Sequence, residues 1–213
     1  MAERIALIDY GAGNLRSVAN ALKAAGAEGV AITADPAMVA TADRIVLPGV
    51  GAFGNCIAAL RAIPGLVAAM ERRVKQDATP FLGICVGMQL LADKGEEHGT
   101  HKGLGWIGGT VRAMQPADPE ARIPHMGWNG VFVSASPTAG GSAGGLVEPG
   151  EAYFLHGYHL ADCPPTAIAA TTDHGGPVIA AVARDTIIGV QFHPEKSQRY
   201  GIAFLERFLK WRP

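Results

Sequence analysis

An alternation of short apolar runs with helical stretches predicts an α/β fold, a mostly parallel central sheet covered by helices on both faces. Two observations carry this reading. Through the first half of the chain, apolar runs of strand length repeatedly pass through a turn into apolar positions at helical spacing. From Gly103 onward the helical spacing gives way to short β-rich stretches between glycine and proline turns, which predicts a more antiparallel second half packed on the same sheet.

The first run, Arg4-Ile-Ala-Leu-Ile-Asp9, reads as a buried strand. Gly11-Ala-Gly13 turns it, Asn14 suits an N-cap, and Leu15, Val18, Leu22 and Ala25 follow at helical spacing. A second strand spans 43–47, with a turn at 48–51 and a helix over 53–60. Pro64-Gly65 breaks that helix before another over 66–75. A third strand at 80–84 runs directly into a helix over 86–92. The later β-rich stretches are 103–114, 131–134, 153–155, 167–172, 178–183 and 187–192. Residues 136–150, rich in Gly, Ala, Ser and Pro, read as a mobile loop. Ser197 suits the cap of a final helix in which Ile202, Leu205 and Leu209 share a face, with Phe208 beside them. The whole chain, 1–213, is expected to be a single domain.

Composition narrows the function classes. Apolar residues make up 48% of the 213 and charged residues 17%, a globular balance. Lys and Arg total 18 against 19 Asp and Glu, so nothing electrostatic favours nucleic acid or an anionic membrane surface. No apolar run reaches the ~18 residues of a membrane span, and the run 5–8 is too short for a signal peptide. Three scattered cysteines, Cys56, Cys85 and Cys163, make no disulfide framework and fit a reducing, cytoplasmic setting.

Gly83-Ile-Cys85-Val-Gly87, between a strand and a helix, is the cysteine form of a nucleophile elbow. The flanking glycines permit a strained turn that lifts the thiol clear of the sheet edge, and the following helix aims N–H groups and its dipole at the sulfur. A buried cysteine packed as a small hydrophobe fits the same segment. Gln191-Phe-His193-Pro-Glu195 favours the first reading. In an extended segment His193 and Glu195 project to one side, so the carboxylate can orient the imidazole toward a nucleophile. Gly49-Val-Gly51-Ala-Phe-Gly54 matches a dinucleotide fingerprint but lacks its acidic partner on the next strand. The turn better serves to aim a backbone N–H at a developing oxyanion, with the N–H of Val86 as second donor. His98 with His101 and His156 with His159 are close pairs without a completing cysteine, so no metal site is expected, and His125 has no evident partner.

The segment 80–91, with Gln191-Phe-His-Pro-Glu195, resembles the class I, triad-type glutamine amidotransferases. Ile8-Asp-Tyr-Gly-Ala-Gly-Asn-Leu15, Leu47-Pro-Gly-Val-Gly-Ala-Phe53, Pro124-His-Met-Gly-Trp-Asn129 and His193-Pro-Glu-Lys-Ser-Gln198 are similar to the glutaminase subunits of imidazole glycerol phosphate synthases. The resemblance implies a flavodoxin-like three-layer fold, and a glutaminase that needs no cofactor. Cys85 would attack the glutamine side-chain amide, His193 would move the proton, and Glu195 would orient His193. Val50 and Val86 would supply the oxyanion N–H groups, Val50 after a backbone flip. Gln89, Glu97, Gly51, Gly157 and Tyr158 would hold glutamine.

The implied partner is a (β/α)8-barrel cyclase that receives ammonia and makes imidazole glycerol phosphate for histidine biosynthesis. Asn14, Trp128, Tyr153 and Lys196 would lie near that interface. The sequence departs from the family at Gly157, where a Ser or Thr hydroxyl is usual, at Gly95, which should loosen its loop, and at Val86, a harmless change from Leu. A free-standing cysteine hydrolase of γ-glutamyl or peptide bonds, and a non-catalytic binding subunit, are the alternatives.

Overall fold

The computed structural model describes residues 3–134 and 140–213. In chain order the elements are β1 (Arg4–Ile8), α1 (Leu15–Ala24), β2 (Gly29–Thr33), α2 (Pro36–Val39), β3 (Arg44–Gly49), α3 (Phe53–Ala62), α4 (Leu66–Lys75), β4 (Phe81–Cys85) and α5 (Val86–Gln89). Then follow β5 (Lys94–Gly95), β6 (His101–Lys102), β7 (Thr110–Ala113), β8 (His125–Val133), α6 (Gly141–Gly144), β9 (Gly150–His156), β10 (Tyr158–Ala161), β11 (Ile168–Asp173), β12 (Pro177–Arg184), β13 (Ile187–Val190) and α7 (Gln198–Lys210).

Nine strands form one sheet in the order β2-β1-β3-β4-β13-β12-β11-β8-β9. It is parallel from β2 to β13 and antiparallel from β13 to β9. β3, β4 and β13 are buried at every position, as strands covered on both faces must be. Each fully buried Leu, Ile or Phe contributes about 1.5–3 kcal/mol. β10, β7, β5 and β6 form a separate four-stranded sheet, so the second half is not all on one sheet as expected. Among the described residues no single helix is long and apolar enough to cross a membrane.

Several expectations are corrected. β2 has no counterpart in the sequence reading; it is an edge strand that leaves Gly29 to Ile32 part-exposed. The helix after Cys85 is one turn long, and its chain continues as turn through Leu91. Asn14 and Ser197 occupy N-cap positions without a side-chain cap bond. The Ser197 hydroxyl is committed elsewhere, donating to the His193 carbonyl at 2.7 Å and accepting from the Tyr153 N–H at 2.9 Å. The final helix buries Phe204, Leu205 and Phe208, leaving Ile202 and Leu209 at the margin of the core.

Of the stretch read as a mobile loop, 136–139 lie outside the described residues. The remainder is packed: Ala143, Leu146 and Val147 are buried, and α7 pins the chain through Arg207 to the Leu146 carbonyl (2.8 Å) and Tyr200 to that of Glu148 (2.7 Å). Gly95, expected to loosen its loop, lies buried in β5 against the Phe53 ring, where a Cβ would collide.

Candidate active site

Cys85 ends β4 with φ +54° and ψ −112°, a strained conformation for a residue with a Cβ. The glycines around it are required by crowding. A Cβ on Gly83 would press on the Gly87 carbonyl, and one on Gly87 would run into the Leu47 carbonyl of β3. The elbow is therefore wedged against the neighbouring strand, and the thiol is buried. A one-turn helix supplies little macrodipole, so the sulfur depends more on its side-chain neighbours than the sequence suggested. Those are Gln191 Nε2 at 3.6 Å and the imidazole of His193, while the Leu155 backbone carbonyl lies at 3.9 Å.

His193 follows β13, parallel neighbour of β4, which brings the end of one strand beside the end of the other. Its Nδ1 lies 2.8 Å from Glu195 Oε1, with both side chains buried. The pair is joined through a 3₁₀ turn at Pro194–Lys196 rather than the extended segment expected from the spacing. Gly201 of α7 packs so closely on the Pro194 carbonyl that it has no room for a Cβ, and this fixes the turn. The His193 N–H donates to the Tyr153 carbonyl at 2.9 Å, and Ser197 ties its carbonyl. Burial alone pushes the His193 pKa down, but hydrogen bonds and charge from Cys85 and Glu195 overcome it and raise it to about 10. The imidazole is therefore held in its charged form beside the Cys85 sulfur.

A cavity of about 300 Å³ opens over the sulfur. It brings together Val50, Gly51, Cys85, Val86, Gln89, Glu97, Gly157, Tyr158, His193 and Lys196, all singled out from sequence. Glu195 lies behind His193. Asn14, Trp128 and Tyr153 do not line the cavity. Trp128 is exposed and meets the Tyr153 ring edge-on at 6.1 Å, while Lys196 Nζ lies 5.8 Å over the same ring. Trp128, Tyr153 and Lys196 form one cluster, joined to the cavity through Lys196.

The end of β3 and the turn after it are each pinned by a side chain. Tyr10 donates to the Pro48 carbonyl at 2.8 Å, and Cys56 Sγ to that of Val50 at 3.4 Å. Glu97 accepts the first N–H of α3, from Phe53, at 2.7 Å. Among the described residues the only atom near a Cβ added at Gly157 is Ile123 Cγ2, at an ordinary 3.5 Å, so space does not demand glycine there.

The sequence reading missed Pro124, Leu155 and His156 in the lining, and Gln191 beneath it. The register of β8 on β9 sets His125 opposite His156, and their Nδ1 and Nε2 atoms lie 3.1 Å apart. His156 Nδ1 is 3.0 Å from the Tyr158 carbonyl, which can only accept, so His156 carries its proton there. His125 must then donate to His156 and accept from Asn129 Nδ2 at 3.1 Å. Both imidazoles are neutral in this arrangement. Burial, then the neighbouring histidines, push the pKa of His125 down to about 4 and that of His156 to about 3. Among the described residues no three His, Cys, Asp or Glu side chains converge as a metal would require.

The family profile described as glutamine amidotransferase class-I matches residues 6–211. The chain is 58% identical over 213 residues to the imidazole glycerol phosphate synthase subunit HisH of Zymomonas mobilis, covering 98% of this chain and 96% of that one. It is 51% identical to the HisH subunit of Rhodospirillum rubrum, covering 99% and 100%. In fold it is similar to a solved structure of PurLQS from Thermotoga maritima, with a TM-score of 0.72 at 19% identity over 99% of each chain. An elbow cysteine, a carboxylate-held histidine and this degree of identity together place the chain in the class-I glutamine amidotransferases, among the HisH subunits of imidazole glycerol phosphate synthase.

Proposed function

We propose that this chain hydrolyses glutamine to glutamate and ammonia through a γ-glutamyl thioester on Cys85, and passes the ammonia to a cyclase subunit in histidine biosynthesis. The observation that carries this is His193 held between Glu195 and the Cys85 sulfur at the wall of one cavity. The thiolate attacks the side-chain amide carbon, and the oxyanion is met by the backbone N–H groups of Val86 and, after a backbone flip, Val50. Imidazolium gives its proton to the leaving nitrogen and ammonia departs. Neutral His193 then takes a proton from water, which attacks the thioester, and the thiolate leaves. Glu195 holds the imidazole in the correct orientation throughout.

Gln89, Glu97, Gly51 and the backbone at Gly157 and Tyr158 hold the glutamine. The partner is a (β/α)8-barrel cyclase, docked over Asn14, Trp128, Tyr153 and Lys196. Exposed Met126, Trp128 and Phe132 on β8, with Ile123 just before it, support an apolar contact there. The whole chain acts as one glutaminase domain in the cytoplasm, using its own side chains and backbone without a cofactor.

The test is glutamate release from glutamine by the purified chain, alone and with its cyclase and the nucleotide substrate. Strong stimulation by the loaded cyclase is expected. Equal turnover with and without it contradicts the partner assignment and indicates a free-standing hydrolase.

A further inference from the structure

We infer that Gln191 is a further catalytic residue, whose side-chain amide N–H donates to the Cys85 sulfur and holds its thiolate form. This rests on the assignment of Cys85 as nucleophile. Gln191 is fully buried just beyond β13, and its backbone N–H is anchored to the Ala180 carbonyl at 2.8 Å. Its Nε2 lies 3.6 Å from Cys85 Sγ.

Which end of that amide faces the sulfur is fixed by its neighbours. The Tyr158 carbonyl only accepts, and Gln89 Nε2 lies 2.9 Å from it, so the nitrogen of Gln89 must point there. The same nitrogen donates to Gln191 Oε1 at 3.0 Å. With its oxygen committed, Gln191 can present only its NH₂ to the sulfur. The Tyr158 carbonyl is held in turn by His156, so the Asn129–His125–His156 chain and the Gln89–Gln191 pair meet at one oxygen.

The sulfur has two kinds of neighbour with opposite preferences. A thiol donates to the Leu155 carbonyl at 3.9 Å, whereas a thiolate has nothing to give it. Gln191 is a donor, and a donor binds an anion more tightly than a neutral thiol. The amide therefore favours the thiolate before attack and again when the thioester breaks and sulfur leaves. No proton moves through it. His193 alone exchanges the proton.

The test compares Gln191→Met, similar in length but without a donor, and Gln191→Glu, similar in shape but presenting an anion. Alkylation of Cys85 by iodoacetamide at pH 7 is followed by mass spectrometry of its peptide, with circular dichroism to confirm folding. Alkylation is expected to fall about tenfold in the Met variant and further in the Glu variant. In the assembled synthase kcat should fall in the same order, with KM changing less. Alkylation and kcat at the wild-type level in either folded variant overturn the proposal, provided Cys85→Ala is inactive. If Cys85→Ala keeps releasing glutamate, the nucleophile assignment fails instead.

Discussion

His193 and His156 line the same cavity and are about equally hidden from solvent, 3% and 6% exposed, yet one is held charged and the other neutral. His193 lies between a carboxylate and a thiol, and its pKa is raised to about 10 despite burial. His156 lies between another imidazole and a backbone carbonyl, and burial prevails, pushing its pKa down to about 3. Desolvation disfavours the charged form of both, so the neighbouring groups decide the outcome. The parallel half of the sheet supplies the ionised chemistry, through β4 and the end of β13. The antiparallel half, through β8 and β9, supplies a neutral hydrogen-bonded wall.

Removing the anion beside His193 should break the contrast most. Glu195→Gln keeps the shape but takes away the charge, and glutaminase kcat in the assembled synthase is expected to fall about 10²–10⁴-fold. A loss below threefold would mean that His193 does not depend on Glu195. On the neutral side, His156→Phe leaves His125 without its acceptor and removes one of the two donors to the Tyr158 carbonyl. Urea denaturation should register a loss of about 1–3 kcal/mol. KM for glutamine should rise more than kcat falls, because Tyr158 belongs to the cavity wall rather than to the proton path.

Acid sharpens the comparison without a mutation. Unfolded histidines bind protons below their ordinary pKa of 6.5, whereas His125 and His156 in the fold do not until about 4 and about 3. Their contribution is complete above 6.5 and is lost as pH falls, each by about 1.4 kcal/mol per unit. His193 has the opposite sign, contributing fully below 6.5 and losing its contribution as pH rises toward about 10. Urea midpoints from pH 7.5 to 5 should decline less steeply in His156→Phe than in the parent. Parallel declines would show that this histidine carries no acid sensitivity. The smallest effect is expected at Gly157→Ser, where an added Cβ fits 3.5 Å from Ile123 Cγ2. A hydroxyl facing the glutamine should lower KM by about twofold to fivefold, an effect of under about 1 kcal/mol. An unchanged KM would place the hydroxyl out of reach.

The parallel half was legible in the sequence because its information is local. Gly83, Cys85 and Gly87 make one turn, and His193 and Glu195 are two residues apart. Gln191 sits two residues before His193 in the same short motif and faces Cys85. The pairing of His125 with His156 is a matter of strand register across 31 residues, and nothing in either segment encodes it. Ser197 reads as a helix start, but its hydroxyl serves the His193 carbonyl, presented by the 3₁₀ turn, and the Tyr153 N–H, brought to it by β9. The small sheet β10-β7-β5-β6 escaped notice because β5 and β6 are two residues long, too short to show a period.

The most direct test of the account is glutamate release by Cys85→Ala in a complex that still assembles with its cyclase. The account predicts loss of glutaminase turnover by at least about 10³-fold, with cyclase activity on added ammonia intact. Glutamate release at the parental rate from that complex would contradict it.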